Sequence, residues 1–70
     1  MKVIINGDLT IIKSDIRPMT IAVLIKELGH HPQLIVVEFN GDILEPQKWG
    51  NQEVKNGDNL EIVTIVGGGS

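Results

Sequence analysis

The feature that most narrows how this chain can fold is its one helical stripe. Ile21, Leu24, Ile25 and Leu28 fall at i, i+3, i+4 and i+7, which places them along one face of a short helix. Thr20 is suited to cap the start of that helix, Gly29 to cap its end, and Pro32 prevents it resuming. Lys26 and Glu27 take the wet side. The apolar residues elsewhere sit in short runs dense in Ile and Val, the composition of strands. A lone amphipathic helix amid strands has to lay its apolar face on a sheet.

The strands follow from the turns. Residues 1–6 read as a first strand, and Asn6-Gly7-Asp8 supplies the positive φ values that a tight hairpin needs before a return strand over residues 9–13. Ser14-Asp15 ends that strand, and Arg17-Pro18 keeps the next residues extended. Residues 34–39 predict a third strand, Asn40-Gly41-Asp42 a second hairpin, and Ile43-Leu44 a short fourth strand. Residues 46–50 predict a 3₁₀ turn that folds Trp49 onto the edge of the core, with Val54 as a further anchor. Asn56-Gly57-Asp58-Asn59 then turns the chain into a last strand that begins at Leu60. The expected fold class is α+β with two layers, one helix packed across a mixed sheet of about five strands. If the first and last strands pair in the middle of that sheet, the layout is the β-grasp.

Seventy residues allow one domain, which buries only roughly 60% of its unfolded surface, so a dense aliphatic core is needed. Hydrophobic residues make up 41%, nearly all aliphatic, which meets that need. With no cysteine, neither a disulfide framework nor a zinc-thiolate cluster holds the domain together. The formal charge of -3 and pI near 5.1 argue against nucleic acid or an anionic membrane surface as a partner and favour a basic one. The N-terminus meets a polar turn too early for a signal peptide, and no apolar run approaches the roughly 20 residues of a membrane span. The expectation is a soluble, cytoplasmic protein.

Catalytic constellations are missing. There is no Cys nucleophile and no Ser-His context that suggests an activated hydroxyl. The glycines at 67–69 form no phosphate loop, since neither a lysine nor a helix follows them. His30-His31 read as polar residues at a helix C-terminus, because adjacent side chains diverge and no further ligand lies at useful spacing. Asp8, Asp15, Asp42 and Asp58 all adjoin turns, where a carboxylate bonds to nearby backbone. The expectation is a protein that is not an enzyme and binds no metal or cofactor of its own.

What remains is the end of the chain, where an ordered strand over residues 60–66 runs into Gly67-Gly68-Gly69-Ser70. Residues 1–66 therefore read as the folded domain and residues 67–70 as a flexible tail. Three glycines add nothing to a core and cost the most entropy to order, so taken alone they read equally well as a linker. From Val66 to Gly69 the chain can reach roughly 13 Å at about 3.3 Å per residue. If Leu60 and Ile62 face the helix, then Glu61, Val63 and Ile65 face solvent together with Val36 and Glu38, and Val36, Val63 and Ile65 form a docking patch. The opposite register would bury them in the core.

The strand order and the tail together give a resemblance to the ubiquitin-like sulfur carriers of bacteria, above all those of thiamine biosynthesis. It is carried by the Asn6-Gly7 hairpin, the helix from Thr20 to Gly29, Val36-Val37-Glu38-Phe39-Asn40-Gly41, the turn from Pro46 to Trp49, Gly57-Asp58, and the run from Glu61 to Gly69. The related carriers of molybdopterin synthesis typically have prolines before their Gly-Gly, where this chain has Thr64-Ile65-Val66. The resemblance implies that a terminal glycine carboxylate, here that of Gly69, is adenylated and converted to a thiocarboxylate, with Gly67 and Gly68 threading into partner channels. It also implies three partners: a ubiquitin-activating-like adenylyltransferase that uses ATP, a desulfurase system that supplies sulfur, and thiazole synthase. Ser70 follows Gly69 and would have to be removed first. The alternatives are a carrier for another product such as molybdopterin, or a β-grasp interaction module with a disordered tail.

Overall fold

The computed structural model describes residues 1–65. Its elements run β1 (Lys2–Ile5), β2 (Asp8–Ile11), α1 (Ile21–Glu27), a 3₁₀ turn (Pro32–Leu34), β3 (Ile35–Phe39), β4 (Asp42–Leu44), a second 3₁₀ helix (Pro46–Asn51) and β5 (Asn59–Thr64). The five strands form one mixed sheet in the order β2-β1-β5-β3-β4. β1 and β5, the first and last strands, are central and parallel, with Ile4 opposite Asn59 and Ile5 opposite Leu60. That is the β-grasp arrangement.

The turns behave as their residues dictate. Asn6 and Asn40 adopt left-handed backbone at φ of 52° and 51°, each followed by a glycine that is also at positive φ, and each closes a hairpin. In α1, the Thr20 hydroxyl accepts from the Val23 N–H at 3.2 Å, and Gly29 takes φ of 81° just past the helix end.

One face of the sheet and the apolar side of α1 form the core. Val3, Val37, Leu60 and Ile62 from the sheet meet Ile21, Leu24 and Ile25 from the helix, with Trp49 and Val54 closing one side. The Trp49 indole N–H donates to the Leu44 carbonyl at 2.9 Å, so its one polar atom is satisfied within the fold.

Several boundaries differ from the sequence reading. The spacing places Leu28 on the apolar stripe, but α1 ends at Glu27 and Leu28 stands at the exposed cap. Leu34 belongs to a 3₁₀ turn rather than to β3, and the second 3₁₀ helix extends to Asn51. Met19 is a core residue that no periodicity marks, pinned where the Val54 N–H donates to its carbonyl at 2.7 Å. The boundary between residues 66 and 67 lies outside the described residues.

Candidate functional site: the open face of the sheet and the strand that leaves it

The helix covers one face of the sheet, and the other face is open. β3 and β5 run antiparallel with Val37 opposite Ile62, which turns both inward. Period-2 alternation then turns Val36 and its partner Val63 outward, together with Glu38 and its partner Glu61. Val63 is 55% exposed, Ile65 is 52% exposed, and Val36 is half-buried between its neighbours. The Ile65 N–H donates to the Leu34 carbonyl at 2.6 Å, so the pairing of β3 with β5 continues past the strand ends and sets exposed Leu34 beside Ile65.

Two residues of this patch escape the sequence reading. The sequence reading makes Leu34 the first residue of the third strand and does not include it in the patch, whereas it ends the 3₁₀ turn and is exposed. Ile43 lies opposite Glu38 on the outward face and is 70% exposed, and a strand as short as β4 carries too little periodicity to assign its face. Val36, Ile43 and Ile65 line a groove together with Pro46 and Trp49.

Next to the apolar pair of Val36 and Val63 the face carries two carboxylates. Glu38 and Glu61 sit directly opposite each other, an arrangement that costs a sheet stability instead of adding to it. Beside them, Val36 and Val63 expose apolar area that folding alone has no reason to expose. An apolar patch edged by two carboxylates is complementary to an apolar seat with a cationic group at its rim.

Among the described residues no group of three His, Cys, Asp or Glu could hold a metal, so His30-His31 has no further ligand there. No helix among them is long and apolar enough to cross a membrane. Gly67, Gly68 and Gly69 lie outside the described residues, but β5, the strand that leads to them, carries Val63 and continues into Ile65.

Known proteins place this geometry. The chain is 37% identical over 70 residues to a thiazole synthase of Paramagnetospirillum magneticum, a match that takes in the whole chain and 21% of that protein. It is 39% identical over 46 residues to the uncharacterized protein ycf40 of Trieres chinensis, covering 66% of this chain and 63% of that one. The chain therefore spans about a fifth of the first relative and under two thirds of the second. Among solved structures, the thiamine biosynthesis protein ThiS of Geobacter metallireducens in its crystal form superimposes with a TM-score of 0.82 at 27% identity, over 99% of this chain and 100% of that one. A solution structure of a thiamine biosynthesis protein from the same organism gives the same score over 100% of this chain and 90% of the other. The model of the ThiS family matches residues 3–69, nearly the full length of the chain, and the chain belongs to that family.

Proposed function

We propose that this protein is a sulfur carrier for thiamine biosynthesis whose reactive group is the main-chain carboxylate of Gly69. The observation that carries this reading is the family match, which covers residues 3–69 and so reaches Gly69. The exposed apolar face supports it, because a carrier needs a surface on which its partners can dock.

The chemistry proceeds once the peptide bond after Gly69 has been cut. A carboxylate oxygen of Gly69 attacks the α-phosphate of ATP and displaces pyrophosphate, giving an acyl-adenylate. The terminal sulfur of a persulfide formed by the desulfurase system then attacks the acyl carbon and displaces AMP, and a thiol reductant cleaves the resulting acyl disulfide to leave the thiocarboxylate. ATP is held by the adenylyltransferase, which is ubiquitin-activating-like, and this chain contributes the acyl group. Thiazole synthase takes the sulfur, a reading supported by the relative that bears that name and matches the whole chain.

The structural contribution of this chain is delivery. Val36, Val63 and Ile65, extended by Leu34 and Ile43, dock the domain on its partner, and Glu38 and Glu61 meet a cation at the rim. Gly67 and Gly68 have no Cβ, so the two residues before the Gly69 carboxylate can enter a channel too narrow for side chains.

The test is direct. A chain ending at Gly69 is incubated with the activating enzyme, ATP and a sulfur donor, then weighed intact. The expected product is heavier by the difference between sulfur and oxygen, and transfer to thiazole synthase returns the original mass. A chain that never accepts AMP under these conditions overturns the proposal.

A further inference from the structure

β5 is held unevenly. On its β3 side it pairs through five positions, from Ile35 with Thr64 to Phe39 with Leu60, but on its β1 side only Asn59 and Leu60 have strand partners. The reason is local: β1 ends at Ile5, and Asn6 swings into left-handed backbone to start the hairpin. The main-chain ladder between the two strands reaches the Asn6 N–H, which donates to the Leu60 carbonyl at 2.9 Å. In an evenly spaced parallel ladder the next bonds would join Ile62 to the continuing β1 chain. Here the Asn6 side chain supplies both. Its Oδ1 accepts from the Ile62 N–H at 2.7 Å, and its Nδ2 donates to the Ile62 carbonyl at 3.1 Å.

A carboxamide has the donor and acceptor geometry of a peptide group, so Asn6 extends the ladder by one residue after the backbone has turned away. That residue is immediately before Val63, where β5 enters the docking patch. We propose that Asn6 is a positioning residue: its carboxamide latches β5 at Ile62 and holds the strand on the course that brings Val63 and Ile65 to a partner. The functional half of this inference rests on the sulfur-carrier reading, and the structural half does not.

Asn6→Gly is the clean deletion, because glycine keeps the left-handed backbone without strain and removes only the carboxamide. Asn6→Asp keeps an acceptor for the Ile62 N–H but sets a carboxylate oxygen against the Ile62 carbonyl; it is also the change that hydrolytic loss of ammonia would make at this Asn-Gly pair, with water consumed. Asn56→Asp is the control. Asn56 also precedes a glycine, but its Oδ1 merely accepts from the Lys2 N–H at 2.6 Å, a bond that a carboxylate keeps.

Amide exchange in the full chain is read at Ile62, with the Asn40 amide, which donates to the Asn59 carbonyl, as internal reference. The latch requires Ile62 to exchange at least about tenfold faster in Asn6→Gly, equivalent to about 1.4 kcal/mol, with Asn40 unchanged and Asn56→Asp like the parent. Equal exchange at Ile62 in parent and Asn6→Gly overturns the latch. Loading by the activating enzyme is then measured at a temperature where every variant is fully folded. The expected result is a raised KM with kcat preserved for Asn6→Gly and Asn6→Asp. Faster exchange with an unchanged KM overturns the positioning role. If the parent chain trimmed to end at Gly69 is never adenylated, the sulfur-carrier reading fails while the exchange result stands.

Discussion

The two faces of the sheet are made from the same strands and differ in almost everything else. On the helix side, Val3, Val37, Leu60 and Ile62 are sealed against α1. On the other side, Val63 on β5, Ile43 on β4 and Leu9 and Ile11 on β2 stand in solvent, and Glu38 faces Glu61. A soluble sheet with one free face ordinarily alternates apolar inside with polar outside. Here that alternation breaks around Val36 and Val63, and the inner face carries the stability while the outer one carries apolar area that folding does not use.

Four experiments can break or sharpen that contrast. The largest effect belongs to Leu24→Ala on the helix side, which should cost about 2–5 kcal/mol because the side chain is fully enclosed. Urea unfolding measures it, and a loss well under about 1 kcal/mol would mean that the helix-facing layer is not the main core. Next comes Val63→Asp. Folding stability should change by less than about 1 kcal/mol, since the site is largely in water, while binding to the activating enzyme should weaken by about 2 kcal/mol, roughly thirtyfold. An unfolded variant would show that Val63 belongs to the core after all.

Thr20→Ala is a smaller test confined to the helix side. Removing the hydroxyl that caps Val23 should lower stability by about 1 kcal/mol and leave partner binding alone. The smallest effect on stability is expected from Glu61→Gln. Relieving the repulsion from Glu38 should stabilise the sheet by a few tenths of a kcal/mol, yet binding should weaken and lose part of its dependence on salt. A variant that is both less stable and unaffected in binding would remove the basis for assigning those carboxylates to a partner.

Much of the fold was legible in the chain because local signals agreed with one another. The stripe of α1, its Thr20 cap and Gly29 stop, and the two Asn-Gly hairpins each point to the same architecture. What could not be read depends on contacts distant in sequence. Met19 is a lone apolar residue in an irregular stretch, and it becomes core only because the Val54 N–H meets its carbonyl. Leu28 lies at the correct spacing for the stripe but one residue past the helix end, where spacing no longer fixes direction. The same limit applies to the site. The Val36–Val63 pair follows from period-2 alternation, whereas Leu34, Ile43 and the bonds of Asn6 to Ile62 require the register of strands far apart in the chain.

Trp49 carries one more consequence. It is the sole tryptophan in a chain without tyrosine, it is almost wholly enclosed, and it is among the residues that line the groove with Val36 and Ile65. The molecule thus contains a built-in optical probe: its fluorescence should redden when the domain melts, and should change in a different way when a partner covers the groove. Occupancy of the surface can be followed without attaching a dye.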